Sequence, residues 1–259
     1  MNSVFDVTRD QLERIPSIRS AFVFADLAST NTWSLEHLPE FHHELPCLVV
    51  AKEQTAGRGR GRHQWWSSAG ALTFSHILPP QQNAPQLPQT LKQELAFVAA
   101  LALRDAILPL LPDPMAMQFK WPNDVYYHGK KLSGMLIEGH PLGVVVGIGV
   151  NVNNSLAAAP PEIREKSISL CDITQEFHSL TTILRRYVAA MDQWDQRDTT
   201  EIHTTWSQHC LLSDRIVTVN VFDKEIAGRC LGINQQGHLI LMTERGMEEI
   251  IAGSIVHFE

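Results

Sequence analysis

Apolar residues along this chain follow two spacings that change from segment to segment. Leu91, Leu95, Val98, Ala99, Ala102 and Ala106 recur every three or four residues and predict a core helix, with Thr90 and Gln93 at capping-box spacing at its start. Leu180, Ile183, Leu184, Tyr187, Val188, Met191 and Trp194 repeat the pattern and predict a second inward-facing helix. Between them, MAMQFKW, DVYYHGKKLSGMLIE and GVVVGIGVNV are short β-branched or apolar runs punctuated by glycine and asparagine, the signature of neighbouring strands. After Trp206 the pattern shortens into strands divided by the turn signals NQQG and ERG, which reads as a small β-barrel. The expected fold class is therefore α+β: helices packed on a mixed sheet over residues 1–209, then a barrel over 210–259. A proline- and glutamine-rich loop at 78–89 separates two structured blocks of the first part.

Composition narrows the function classes. At 259 residues the chain can form one large domain and a small one. Cys47, Cys171, Cys210 and Cys230 are widely spaced without a CxxC pair, so they read as reduced, mostly buried thiols. The first residues are acidic where a secretory signal is basic, and the most apolar window, Leu95–Leu111, is interrupted by Arg104, Asp105 and Pro109. A cytoplasmic protein without a membrane segment is expected. A net charge of −7 opposes non-specific attraction to DNA or RNA phosphates.

Three stretches could carry chemistry. Gln54 leads into Gly57-Arg58-Gly59-Arg60-Gly61-Arg62 and then Trp65, after the strand CLVVAK. Glycines permit close backbone approach and arginines offer planar cationic forks, a combination suited to gripping phosphate or carboxylate, though a solvated basic loop has the same composition. Lys120-Trp121-Pro122-Asn123-Asp124 and the turn holding Lys131 supply cations and a carboxylate at strand ends. They suit nucleotidyl transfer, and WPND by itself is equally a proline turn. Gly147-Ile148-Gly149 lacks the third glycine and following helix of a dinucleotide fingerprint, and no P-loop, HExxH or GxSxG is present.

Taken in order, Ser29-Thr30-Asn31, Gln54 with Gly57-Arg58-Gly59-Arg60 and Trp65, Lys120 to Asp124, Lys131 to Gly134, and Gly147 to Asn151 resemble the biotin protein ligase family. The resemblance runs from about residue 21 to the end. It implies a catalytic domain similar to class II aminoacyl-tRNA synthetase cores, followed by an SH3-like barrel. It also implies an ATP-dependent enzyme that makes biotinyl-5'-AMP and transfers biotin to a lysine of a biotin carboxyl carrier protein domain. Ser29, Thr30, Asn31, Gln54, Gly57, Arg58, Trp65, Lys131, Gly134 and Leu136 are the implied biotin contacts. Arg58, Arg60, Trp65, Asn123, Asp124, Lys131 and Asn151 are the implied ATP and adenylate contacts. Lys131, Arg58, Arg60 and Asp124 are the implied catalytic residues. Magnesium is expected to arrive with ATP and to touch Asp124 if it touches protein at all.

The chain departs from the common pattern in Gly61-Arg62-His63-Gln64 before Trp65, where many members place a basic residue beside the tryptophan, and at Ser68 and His76. Only about twenty residues precede the first strand of the catalytic domain, which leads one to expect a monofunctional enzyme without the winged helix-turn-helix of repressor members. A homodimer through exposed sheet edges is compatible with the pattern. The enzymatic alternative is a lipoate or octanoate ligase, which GRGR together with KWPND disfavours. The alternative of another class is a non-catalytic biotin-binding or DNA-regulating homologue, which degraded ATP-facing residues would favour.

Overall fold

The computed structural model describes residues 5–61, 63–80, 87–222 and 224–259. Its first part contains strands β1 (Ser20–Leu27), β2 (Cys47–Gln54), β3 (Leu72–Leu78), β4 (Met117–Lys120), β5 (Asp124–Tyr127), β6 (Lys130–His140) and β7 (Gly143–Val150). They form one sheet in the order β1-β2-β3-β7-β6-β5-β4. β1 and β2 are parallel and the other neighbouring pairs antiparallel, so the expected mixed sheet is present. Helices α1 (Arg9–Glu13), α2 (Thr30–Phe41), α3 (Gln89–Ile107), α4 (Pro161–Arg164), α5 (Leu170–Thr174), α6 (Leu180–Trp194) and α7 (Thr199–Gln208) surround it.

The period of two along β3 explains how the sheet serves two layers. Phe74 and His76 meet the ring of Tyr187 on α6, while Ser75 and Ile77 turn to α2 on the other face. The α3 and α6 side holds most of the core, and α6 buries the apolar face read from its spacing, leaving Arg185 and Arg186 exposed. From Leu95 to Leu103 every residue of α3 is buried, because α6 and α7 cover it on the side away from the sheet. The capping box expected at Thr90 and Gln93 does not form. The helix starts two residues earlier, behind Pro88, with no side-chain cap, and Gln93 is buried inside it, donating to the carbonyl of Gly237 at 2.7 Å. The start of that helix lies at the end of the proline loop, whose residues 81–86 are outside the described residues.

The second part consists of β8 (Ile216–Val221), β9 (Lys224–Ile233), β10 (Leu239–Thr243), β11 (Gly246–Ile250) and β12 (Ser254–Phe258), an antiparallel SH3-like sheet in the order β11-β10-β9-β8-β12. The NQQG and ERG signals fall at the β9–β10 and β10–β11 turns, as the sequence pattern requires. Its buried Val217, Val219, Cys230, Leu239 and Leu241 belong to the same continuous core as α3 and α6. Two hydrogen bonds converge at the junction: Trp121 Nε1 and Gln93 Nε2 donate to the same Gly237 carbonyl, at 3.1 and 2.7 Å. The segment after α7 also runs beside β4, with Leu211 N donating to Phe119 O at 2.8 Å. All four cysteines are free thiols, and Cys47, Cys210 and Cys230 are buried. Among the described residues, no helix is long and apolar enough to cross a membrane.

Candidate active site

The face of the sheet opposite α3 carries a cleft of about 340 Å³, within the size range of small-molecule sites. Its floor is β6 and β7, and glycine makes that floor low. A Cβ at Gly147 would lie 2.0 Å from Asn31 Oδ1, and one at Gly149 would lie 2.3 Å from the Trp65 ring. The GIG pair thus clears space for two side chains laid across the sheet.

One end of the cleft is polar and carries no net charge, because its Arg58 and Glu138 pair with each other. Ser29 caps α2 by accepting from Thr32 N, and the next residue, Thr30, donates from both N and Oγ1 to Gln54 Oε1 at 2.7 and 3.2 Å. Asn31 is buried and saturated: Oδ1 accepts from Ser75 Oγ at 2.7 Å, and Nδ2 donates to Leu136 O and to Glu138 Oε2 at 3.1 and 2.9 Å.

The glycine–arginine loop folds back over this floor. Trp65 N donates to Gly57 O and Gly59 N donates to His63 O, both at 2.9 Å, so the loop is a narrow hairpin. Gly57 is required there, since a Cβ would meet Trp65 O at 2.4 Å. The Arg58 guanidinium reaches Glu138 with two bonds of 2.7 and 3.1 Å, the two-pronged geometry of a charge-assisted pair. Arg60 turns the other way and donates to Gly253 O, just before β12 of the second sheet, at 3.3 Å. Burial lowers the pKa of Arg60, and the nearby Asp124 charge opposes that shift. Arg62 lies outside the described residues.

The other end is cationic. Lys131 Nζ is 2.7 Å from Asp124 Oδ1 and 6.0 Å from the Trp65 ring. Gly134 is the floor beneath that pair: an added Cβ would meet Asp124 Oδ1 at 2.9 Å and Lys131 Nζ at 3.1 Å. Asn123 is tied to β6, its side chain donating to Met135 O and its carbonyl accepting from Met135 N. Lys120 lies over the rings of Tyr126 and Phe258, at 5.6 and 5.0 Å. Its pKa is lowered by burial first, then by Lys131 and Lys166, with Asp124 pulling the other way. Asn151 closes this end from β7, its Oδ1 accepting from Asn154 and its carbonyl from Leu170 N. The following segment returns onto β6 through Lys131 N to Lys166 O at 2.8 Å, and so delivers Glu162 and Lys166 to the rim.

Every residue singled out from the sequence for ligand contact lies in or against this cleft. Three contributions were not read from the sequence. Glu138 sits in a strand that was read only as a strand, although an acidic residue four positions beyond the GKKLSG turn on a half-buried strand is a signal in itself. Lys166 comes from an irregular segment with no periodicity. Ser254 and Ile255 come from the second sheet, with Gly253 just before it accepting from Arg60, and nothing local in IAGSIVHF points to the cleft.

Comparison with known proteins matches this geometry. Residues 23–153 match the biotin/lipoate A/B protein ligase family, and residues 212–257 match the biotin protein ligase C-terminal domain. The biotin--[acetyl-CoA-carboxylase] ligase of Paracoccus denitrificans is 31% identical, covering 88% of this chain and 96% of its own. The enzyme of the same description from Mycobacterium tuberculosis is 29% identical over 96% and 93%. The structure of the Aquifex aeolicus biotin protein ligase in complex with biotin and ATP superimposes with a TM-score of 0.75 at 28% identity, covering 92% of this chain and 98% of that one. The chain belongs to the biotin/lipoate A/B protein ligase family, and these relatives place it among the biotin protein ligases.

Proposed function

We propose that the cleft joins biotin to ATP and then to a carrier lysine, with the two ends of the cleft dividing the work. The end without net charge, formed by Ser29, Thr30, Gln54 and the Gly57–Arg58 backbone, takes the biotin head. The backbone from Gly134 to Leu136 lines one side and Trp65 lies over the other. The cationic end takes the carboxylate and the phosphates. The observation that carries this reading is the convergence of Lys131, Lys120 and Arg60 at one end of a cleft whose other end carries no net charge but many hydrogen-bonding groups.

In the first half-reaction a biotin carboxylate oxygen attacks the α-phosphorus of ATP, and the bond to the leaving pyrophosphate breaks. Two anions must approach, and Lys131 is placed to neutralise both as charge moves towards the leaving group. Asp124 holds the ammonium at 2.7 Å and thereby fixes its position. Arg60 and Asn151 hold the adenylate, and the closed loop keeps water from the mixed anhydride. In the second half-reaction a neutral lysine amine of the carrier attacks the biotinyl carbonyl, AMP leaves, and an amide forms. Asn123 and Asp124 stand at the rim where that lysine enters.

Among the described residues no three His, Cys, Asp or Glu side chains converge as a metal cage. Magnesium would enter with the phosphates of ATP, where Asp124 would be the carboxylate to hold it and the ion would neutralise phosphate charge. The acceptor is a biotin carboxyl carrier domain of a carboxylase, in keeping with the names of the relatives. We place the division of labour at residues 1–209 for the catalytic unit and 210–259 for the barrel, and its site of action in the cytoplasm, where four free thiols stay reduced.

Biotin-dependent exchange of labelled pyrophosphate into ATP, without acceptor, tests the first half-reaction. Exchange with biotin but not with octanoate or lipoate is the expected result; exchange with lipoate alone overturns the substrate, and no exchange with biotin bound overturns the activity.

A further inference from the structure

Glu138, which bonds the cleft residues Asn31 and Arg58, has no place in the chemistry above, yet its side chain is highly connected. Its carboxylate accepts from Arg58 Nη1 and Nη2 and from Asn31 Nδ2, at 3.1, 2.7 and 2.9 Å. Asn31 is in turn fixed by Ser75 from beneath and leaves no room for a side chain at position 147. The result is a continuous polar chain from the centre of the sheet, through Asn31 and Glu138, to the first arginine of the loop. Arg58 Nη1 also reaches Thr32 Oγ1 at 3.4 Å, so the same guanidinium touches α2.

The charge arrangement separates the two arginines of the loop. Arg60 faces the cationic end and the second sheet, and Arg58 has its fork occupied by a carboxylate of the protein. A guanidinium engaged at two nitrogens by a half-buried carboxylate is a poor ligand for a second anion, because releasing it leaves Glu138 beside a buried amide with its charge unmatched.

We propose that Glu138 is a positioning residue for the ligase reaction: it clasps Arg58 and so holds the glycine–arginine loop closed over biotin and biotinyl-AMP. This rests on the reading of the cleft as a biotin-adenylating site. Arg58 then contributes to ligand binding through its backbone, and its side chain serves the closure. Loop opening requires the Glu138–Arg58 bonds to break, which sets the rate at which the reactive intermediate escapes.

The experiment loads the full-length protein with radiolabelled biotin and MgATP in the absence of acceptor, isolates the enzyme–biotinyl-AMP complex by rapid gel filtration, and follows release of the intermediate. Glu138→Ala should release biotinyl-AMP about tenfold faster or more than wild type, with adenylation at saturating biotin within about threefold, the split expected of a lost closing contact. Glu138→Gln keeps the shape and one acceptor oxygen and should fall between the two. Arg58→Ala should release biotinyl-AMP at about the rate of Glu138→Ala, and the double variant should release it no more than about twofold faster than either, because both remove one interaction. Release at the wild-type rate from Glu138→Ala and Glu138→Gln, both folded by circular dichroism, overturns the proposal. Multiplying effects in the double variant also overturn it, since the two residues would then act separately. Wild-type protein that binds biotin but forms no biotinyl-AMP overturns the adenylation reading and this proposal with it, whereas a wild type that forms and holds the intermediate leaves the clasp to be judged on the variants alone.

Discussion

Lys131 Nζ sits 2.7 Å from Asp124 Oδ1 directly above Gly134, where even a methyl group would displace one of them. The two residues lie on neighbouring strands, and their pairing depends on the register that sets Asp124 opposite Gly134. The ammonium is thus held in place before any substrate arrives.

Lys131→Ala should lower the rate of adenylation by about 10²–10³, the usual effect of removing a single group that stabilises developing charge. Biotin affinity should change far less, because we assign the biotin head to the opposite end of the cleft. Pyrophosphate exchange with isothermal titration of biotin separates the two, and an unchanged exchange rate would remove Lys131 from the mechanism.

Arg60 ties the loop to the second sheet through Gly253 O. Arg60→Ala should therefore leak biotinyl-AMP and label the surface lysines of bystander proteins. Blotting a mixture of non-carrier proteins with streptavidin is the check. Labelling confined to the carrier would count against a retaining role for this arginine.

Gly149 faces the Trp65 ring, and Gly149→Ala would place a Cβ 2.3 Å from it. The tryptophan must move, so biotin affinity should fall about tenfold or more, and the misfit should cost roughly 1–3 kcal/mol of stability. Ile148→Val, one residue away on the other face, should leave biotin affinity unchanged. Equal affinities for the two variants would show that Trp65 is not a wall of the biotin site.

His76 is buried against Tyr187, and desolvation lowers its pKa from 6.5 to about 4. The folded state holds the ring neutral while the unfolded chain binds a proton below pH 6.5, so the neutral ring favours folding fully above that pH. The advantage is lost as pH falls towards 4. Between pH 7 and 5 this single group should remove about 2 kcal/mol of stability. Urea unfolding of His76→Phe at both pH values should show that much less acid sensitivity than wild type; identical slopes would refute the assignment.

The layers of the fold were legible because periodicity reports burial directly: the stripe of α6 and the alternation in the β8–β12 region are written in local spacing. The start of α3 was misread because Thr90 and Gln93 have the right spacing for a cap, but Gln93 is needed 144 residues away by Gly237. The cleft residues were legible as a set through the family resemblance, whereas the reason for the glycines was not. Gly147 and Gly149 looked like an incomplete dinucleotide motif, and only the packing of Asn31 and Trp65 across them explains why no side chain fits. Glu138 was missed for a related reason, because its meaning lies in a partner eighty residues away in the chain.

The carbonyl of Gly237 accepts from a side chain of α3 and from Trp121 in the turn between β4 and β5, and position 237 has a φ of +78° that suits glycine. A turn of the small sheet therefore satisfies two otherwise buried donors of the first part of the chain, one on α3 and one just after β4. Heat should melt the chain in a single calorimetric transition, since neither half can open without stranding polar groups of the other. The small sheet thus braces the loop that begins with Trp121, so a substitution that loosens the Gly237 turn should lower activity together with stability.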